Sequence, residues 1–223
     1  MKNTLFPLLT AIILGISTHA QDIAIGGKLG GNLSSFYNKK GTQYSFLFGL
    51  NLGVINHYKI KNHFYLITEL NYERKGGYML ANGITPFWDQ NFTTKLNYIS
   101  LPILAKITIG RAECFYFNGG PFVSYLFSAT ERSVLTESST GELVSDDTQN
   151  FTTLYKRFDF GLGLGLGVSI DIYEQMKLIF DTRYNISFIP LLKDSHYSNI
   201  KNHSINLNCG VLFILKNKKS YDQ

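Results

Sequence analysis

The sequence FDFGLGLGLGVSI, residues Phe158–Ile170, alternates large apolar side chains with glycines. Successive side chains of a β-strand point to opposite faces. One face of this segment therefore carries only large apolar side chains, and the other carries Asp159, glycines and Ser169. Such a pattern is typical of a strand whose outer face meets lipid and whose inner face lines a tightly filled barrel.

The rest of the chain repeats this alternation between turn residues, which predicts eight strands. The predicted strands are Ile23–Phe36, Ser45–Tyr58, Phe64–Gly76, Asn97–Ile109, Phe115–Ser128, Thr153–Asp171, Lys177–Ile189 and Asn202–Leu215. The connections alternate between long and short, with Gly77–Leu96 and Ala129–Thr152 as the longest loops. An even strand number with this alternation predicts an all-β, eight-stranded, antiparallel, up-and-down transmembrane barrel.

The parity of each strand predicts which side chains face lipid. The outward positions are uncharged except Arg74, and they include Phe46, Phe48, Leu50, Leu52 and Val54 on the second strand. The opposite parity carries charges of both signs, which predicts a polar lumen network rather than a pore lined by one sign. The predicted members are Glu69, Glu73, Lys106, Asp159, Asp181 and Arg183. Seven tyrosines near the longer loops predict an aromatic girdle: Tyr37, Tyr44, Tyr72, Tyr98, Tyr125, Tyr155 and Tyr184.

The first twenty residues have the features of a secretory signal. Lys2 precedes an apolar run from Leu5 to Ile16, and small residues stand at the −3 and −1 positions of a cleavage site after Ala20. We therefore expect a signal peptide over 1–20 and one barrel domain over 21–223 that ends in a short polar tail. Export followed by insertion predicts a cell outer-membrane location, with membrane lipid and the barrel-insertion machinery as partners.

Charge and motifs exclude several functions. A formal net charge of +5, with its lysines at turns and in the tail, does not predict a nucleic-acid partner. Histidines and cysteines have no metal-ligand spacing, and the glycines of the opening stretch stay in strand register instead of forming a phosphate loop. We expect no cofactor and no enzymatic activity. The alternative, a hydrolase at the barrel rim, would rest on Asp194 and His196.

Two loops have the composition of contact surfaces. Phe87 and Trp88 follow Pro86 in the second long loop and form a candidate contact patch for a protein or glycan partner, although packing over the barrel mouth would explain them equally well. The segment Ala129–Thr152 is acidic, with Arg132 its sole basic residue, and suits either a basic partner or plain solvation.

Several segments together resemble the PorT-like outer-membrane β-barrel proteins of Bacteroidota. They are GKLGGNLSSF (Gly27–Phe36), ELNYERKGG (Glu69–Gly77), LNYISLPILAKI (Leu96–Ile107), NGGPFVSYLFSA (Asn118–Ala129), FDFGLGLGLGV (Phe158–Val168) and DTRYNISF (Asp181–Phe188). The resemblance implies an outer-membrane barrel, in agreement with the eight-stranded, OmpA/OmpX-like fold that the strand pattern predicts. It also suggests a part in type IX protein secretion, because PorT itself is associated with that process.

From these observations we expect a non-enzymatic outer-membrane protein with a structural or surface-interaction role through its outer loops. A part in protein secretion and a part in small-solute transport are the alternatives in the same fold. A soluble, secreted, lipocalin-like binding barrel is the alternative fold, and it would reverse every facing given above.

Overall fold

The computed structural model describes residues 22–38, 44–85, 88–110, 113–193 and 199–216. Every regular element in these residues is a β-strand. The strands are β1 (Asp22–Tyr37), β2 (Ser45–Lys61), β3 (Phe64–Thr85), β4 (Trp88–Ile109), β5 (Phe115–Glu137), β6 (Leu143–Asn150), β7 (Phe158–Tyr173), β8 (Met176–Ser187) and β9 (Lys201–Lys216). No helix in the described part of the chain is long and apolar enough to cross a membrane.

Eight of these strands close into a ring, as the sequence predicts. The hydrogen-bonded order is β4-β3-β2-β1-β9-β8-β7-β5, and pairing of β4 with β5 closes it. All pairs are antiparallel, and the seam between β1 and β9 runs unbroken from Asp22↔Lys216 to Tyr37↔Lys201. β6 lies outside the ring and pairs with β5 alone among the described strands.

Lipid-facing and lumen-facing side chains fall on the predicted parities. On β7, the side chains of Phe158, Leu162 and Leu164 are exposed, whereas Asp159 is buried. On β2, all five predicted outward positions from Phe46 to Val54 are exposed. Large apolar groups outside and charged groups inside suit a lipid environment, so the soluble alternative is wrong.

The inward glycines of β7 leave room for aromatic rings. An added Cβ on Gly167 would lie 2.5 Å from the Tyr116 ring, and one on Gly161 would lie 2.6 Å from the Phe122 ring. Both rings come from β5, the neighbouring strand. The glycine face of the opening stretch is therefore packed against side chains of the lumen, as an interior filled to high density requires.

The two ends of the barrel differ. At the short-turn end, brief connections join β2 to β3, β4 to β5 and β7 to β8. At the long-hairpin end, β3, β4 and β5 continue beyond the ring, and β6 joins them. Here the prediction of loops over Gly77–Leu96 and Ala129–Thr152 is wrong, because strand pairing continues through most of both segments. These residues are paired in the aqueous phase, where no lipid selects outward apolar side chains, so their alternation is weak.

We call this extension the projecting sheet and define it as residues 79–85, 88–92, 133–137 and 143–150. Its four strands are in register, as the row Met79, Phe92, Ser133 and Asp147 shows. Seven residues of β3 extend beyond the last pair with β2, Ser45↔Tyr78, which corresponds to about 23 Å at roughly 3.3 Å per residue.

The predicted sixth strand begins too early in the sequence. β7 starts at Phe158, and residues 151–157 form a turn that folds inward over the barrel. Tyr155 in this turn is buried, and so is Tyr98 on β4. These two tyrosines belong to an apolar cluster inside the long-hairpin end, so their assignment to an aromatic girdle is wrong. Strand parity places Tyr98 in the lumen, and an aromatic side chain there packs as core.

Candidate functional sites in the lumen and on the projecting sheet

The lumen contains a buried ion-pair network centred on Glu69. This carboxylate of β3 accepts hydrogen bonds from Lys28 Nζ at 2.6 Å and from Arg183 Nη1 and Nη2, each at 3.0 Å. Asn71 Nδ2 donates a further bond at 2.9 Å. The Glu69 side chain has no exposed surface. A buried charge is tolerated only when it is paired and hydrogen-bonded, and here every partner is present.

Arg183 links Glu69 to the opposite wall. Its Nη2 donates to Asp181 Oδ2 at 2.9 Å, and its Nε donates to Asn118 Oδ1 at 3.3 Å. Asp181 in turn accepts a hydrogen bond of 2.7 Å from Asn208 Nδ2 through its Oδ1. Three predicted network members, Glu69, Asp181 and Arg183, thus lie in one cluster that crosses the bore.

The other predicted members lie in separate clusters. Glu73 pairs with Lys75 Nζ at 2.9 Å and accepts a hydrogen bond from Ser100. Asp159 accepts a hydrogen bond of 2.7 Å from Ser187.

Lys106 stands apart from these carboxylates. Its Nζ lies 4.0 Å from the centre of the Tyr116 ring and 5.3 Å from that of the Tyr65 ring.

Strand parity also predicts Lys28 and Lys75 inside the barrel, where the structure buries both, although the predicted network did not include them. The buried asparagines were not predicted. No sequence feature predicts the hydrogen bonds of the asparagines, because an amide side chain in a strand does not reveal its partner until the neighbouring strands are known. One example is the hydrogen bond of 3.0 Å from Asn51 Nδ2 to Asn208 Oδ1, across 157 residues of sequence.

Two apolar layers lie above and below the polar middle of the lumen. The outer layer, at the long-hairpin end, contains Phe36, Leu96, Tyr98, Leu126, Ala129, Tyr155 and Leu191. The inner layer, toward the short-turn end, contains Ile55, Ile67, Leu104, Ile179 and Leu212. Leu104 on β4 and Leu212 on β9 come from opposite sides of the ring, so this layer crosses the bore. The lumen is therefore filled in alternating apolar and polar layers.

Among the described residues, the buried charged side chains of the ring strands balance. The cations are Lys28, Lys75, Lys106 and Arg183, and the carboxylates are Glu69, Glu73, Asp159 and Asp181. Selective ion pathways are lined by charges of one sign. Chemically, this arrangement suits internal packing better than ion conduction.

A small cavity opens at the long-hairpin end above the outer layer. It has a volume of about 300 Å³ and is lined by Phe36, Tyr44, Phe92, Tyr155 and Glu131 among others. Burial, followed by the charge of Glu131, raises the pKa of Tyr155 to about 12. The phenol of Tyr155 is therefore neutral at physiological pH and does not serve as a base there.

The projecting sheet ends in β6, whose residues are all exposed. Arg132 on β5 binds Asp146 on β6 through its Nε at 2.7 Å, and this hydrogen-bonded pair lowers the pKa of the Asp146 carboxyl. Leu143 and Val144 at the start of β6 are exposed apolar side chains. The second edge of β6 has no strand partner within the described residues.

The predicted contact patch is only half described. Trp88 is the first residue of β4, pairs with Thr85 and Glu137, and is 37% exposed at the tip of the projecting sheet. Phe87 lies outside the described residues, as do Asp194 and His196 of the rim-hydrolase alternative. Within the described part of the chain, no group of three or more potential metal ligands is found.

Comparisons with known proteins address the fold. The family model "Outer membrane protein beta-barrel domain" matches residues 19–193. No curated protein gives a significant match. The solved structures similar to this chain include OprG from Pseudomonas aeruginosa, with 13% identity, 91% of this chain and 99% of that chain covered, and a TM-score of 0.49.

Two further solved structures are similar to this chain. Neisserial surface protein A has 15% identity, with 86% of this chain and 96% of that chain covered and a TM-score of 0.44. The attachment invasion locus protein Ail of Yersinia pestis has 14% identity, with 85% and 98% covered and a TM-score of 0.43.

The family match extends over most of the chain, and the closed ring with its apolar exterior agrees with it. In such barrels the short turns are periplasmic and the longer connections are extracellular. This chain belongs to the outer membrane protein beta-barrel domain family and is located in the outer membrane of Gram-negative bacteria.

Proposed function

We propose that this protein is a non-enzymatic surface-interaction protein that binds an extended, basic segment of a partner protein along the free edge of β6. The observation that carries the proposal is the pairing of β6, which has β5 on one side and no described strand on the other. A free strand edge presents unpaired N–H and C=O groups, and an extended peptide can add to it as a further strand.

Charge supports a basic partner. The β5–β6 hairpin carries Glu137, Glu142, Asp146 and Asp147 against Arg132. Arg132 is already paired with Asp146, so carboxylates remain in excess along this edge. Opposite charges across an interface raise the association rate and suppress wrong partners.

The tip of the projecting sheet adds a second element to the proposed surface. Aromatic side chains are enriched in protein interfaces. We therefore include Trp88 in the proposed surface, on β4 and separated from β6 by β5. Phe87 stays the second member of the contact patch that the sequence predicts for a protein or glycan portion of the partner.

The layered lumen supports an interaction role over solute transport. An eight-stranded ring has an interior just wide enough for its own side chains, and here both apolar layers span that interior. A PorT-like part in type IX secretion stays a prediction of the sequence resemblance. Comparing the secreted proteins of a deletion strain with those of its parent would test it.

The binding test uses the full chain in lipid nanodiscs and a fluorescent peptide of alternating lysine and threonine, with a glutamate–threonine peptide as charge control. In one variant, Asn-Gly replaces residues 132–148. The pair Glu131↔Gln149 is then closed by a two-residue hairpin turn. The matched variant replaces residues 80–91 by Asn-Gly between Met79 and Phe92, which also pair. Both shortenings leave the ring strands in place.

We expect the lysine peptide to bind the unaltered protein more tightly than the glutamate peptide does. The second variant also removes Phe87 and Trp88. Loss of that binding in the first variant, with no more weakening in the second than the replacement of Phe87 and Trp88 by alanine causes, would support the β6 edge. Equal binding by the first variant and the unaltered protein would contradict it. Replacement of both Phe87 and Trp88 by alanine tests the apolar contact separately.

A further inference from the structure

A second cavity lies at the short-turn end, at the opposite end of the barrel from the projecting sheet. Its volume is about 320 Å³, and its lining includes His57, Tyr65, Lys106 and Ser169. The inner layer, which contains Leu104 and Leu212, lies at this end of the lumen, and Leu212 also lines the cavity. Within the described residues, no ion pair joins Lys106 to Glu69 or Asp181.

Two buried polar atoms in this lining lack a hydrogen-bond partner within the described residues. They are His57 Nε2 and Ser169 Oγ. The exposed fractions of the two side chains are 5% and 7%. Buried polar groups in native proteins are nearly always satisfied, by protein, by water or by a ligand. Two unsatisfied groups in one cavity therefore indicate that something polar occupies it.

A buried cation lines the same cavity. The Lys106 side chain is 4% exposed, and its Nζ contacts the faces of the Tyr116 and Tyr65 rings. Among the described residues, no carboxylate lies within 4.0 Å of this Nζ. Ring faces stabilise an ammonium only in part, and three N–H donors need acceptors. Lys106 is thus an incompletely neutralised charge at a wall of the cavity.

Among the described residues that line this cavity, the charges leave a positive excess. Lys59 and Lys177 add to Lys106, and the carboxylates are Glu113 and Asp171. Asp171 pairs with Lys177 at 2.9 Å, and Glu113 accepts a hydrogen bond of 2.6 Å from Tyr65 Oη. Both carboxylates therefore have partners of their own, and neither lies within 4.0 Å of Lys106 Nζ.

From this geometry we infer that the short-turn cavity binds a small oxyanion, a carboxylate or a phosphate group, between Lys106, His57 and Ser169. The ammonium supplies the charge. The Ser169 hydroxyl and the Nε2–H tautomer of His57 supply neutral donors. A charge-assisted hydrogen bond to an oxyanion is stronger than one to a neutral acceptor. The cavity also far exceeds the ~30 Å³ that one water occupies in the liquid.

The test measures binding of inorganic phosphate and of acetate, by calorimetry, to the full chain in nanodiscs of uncharged lipid. Lys106→Gln removes the charge and Ser169→Ala removes one neutral donor. Lys95→Gln is the matched control, because Lys95 is an exposed lysine on the same strand, β4, toward the other end. The boiling-dependent shift in electrophoretic mobility reports for each variant whether the barrel has folded.

We expect saturable binding of at least one of the two anions. Lys106→Gln should weaken it about 10- to 100-fold and Ser169→Ala about 2- to 10-fold, while Lys95→Gln leaves it unchanged. The relative affinities for phosphate and acetate identify which group the cavity prefers. Absence of binding for both anions would overturn the inference, and so would equal binding by Ser169→Ala, Lys106→Gln and the unaltered protein. If Lys106→Gln does not fold, Ser169→Ala alone decides.

Discussion

Arg183 on β8 binds Glu69 on β3 through both terminal nitrogens, at 3.0 Å each, across the full width of the barrel. In the ring order, four steps separate these two strands in either direction. The contact therefore joins opposite walls that share no backbone hydrogen bond. It couples the two halves of the ring through side chains alone.

Glu69→Gln should destabilise the folded barrel strongly. The variant leaves Lys28 buried without its counter-charge and Arg183 with Asp181 as its remaining ion-pair partner, and breaking a buried pair from one side costs roughly 3–5 kcal/mol. Denaturant-induced unfolding in detergent measures this loss. Glu142→Gln is the control, since that carboxylate lies in the exposed turn between β5 and β6. Comparable stability of the two variants would show that the charge of Glu69 does not stabilise the folded barrel.

Gly26→Ala should prevent assembly of the ring, whereas Gly27→Ala should be tolerated. A Cβ on Gly26 would stand 1.8 Å from the backbone oxygen of Val211 on β9, whereas one on Gly27 meets its nearest neighbouring atom at 4.0 Å. The first substitution thus forces β1 and β9 apart at the seam. The fraction of heat-modifiable protein after refolding distinguishes the two, and efficient folding of Gly26→Ala would contradict the close approach.

Acid should loosen the projecting sheet. The lowered pKa of Asp146 means that the Arg132 pair stabilises the sheet above about pH 4, the ordinary range of an aspartate. This contribution is lost as the pH falls through the still lower pKa of the folded state. Hydrogen exchange of β6 against pH measures the effect. Arg132→Gln should remove this pH dependence, and an unaltered profile in that variant would assign it to another group.

The unaltered protein should show no stepwise conductance in planar bilayers. Both apolar layers cross the bore, and the inward charges are paired or packed against rings, so water and ions have no continuous polar path. A reproducible single-channel step would contradict this prediction. It would also restore the small-solute transport alternative.

Surface labelling should place the two ends of the barrel on opposite sides of the membrane. In a background with Cys114→Ser and Cys209→Ser, Thr140→Cys lies in the turn between β5 and β6. Asn62→Cys lies in the turn between β2 and β3. A membrane-impermeant maleimide applied to intact cells should label the first variant and not the second. The reverse pattern would invert the orientation.

The membrane-embedded part of this fold was predictable from sequence because of one rule: in a strand that crosses the membrane, every second side chain faces lipid and is apolar. Phe158–Ile170 and the outward positions of β2 obey that rule, so their facing could be read directly. The projecting sheet could not be read this way, since both faces of β6 meet water and its side chains LVSDDTQN are unconstrained. Its strands emerge only when their cross-strand register is known.

Side-chain partners in the lumen were predictable by location but not by pairing. Parity places Glu69 and Arg183 inside the barrel, yet their contact depends on strand order and stagger across the bore. For Tyr98 and Tyr155, the predicted location itself was wrong. Their position along the sequence suggests a girdle, and only the inward fold of residues 151–157 reveals that they close the outer layer of the lumen.

The seam between β1 and β9 makes the last strand of the chain the partner of the first along sixteen paired residues. A nascent or truncated polypeptide that lacks β9 would leave both β1 and β8 with open edges, however well its other strands had paired. Such a product would be a substrate for periplasmic chaperones and proteases, because open strand edges are sites of aggregation. Ring closure in this protein therefore requires β9, and the barrel can form completely only after that strand has been exported.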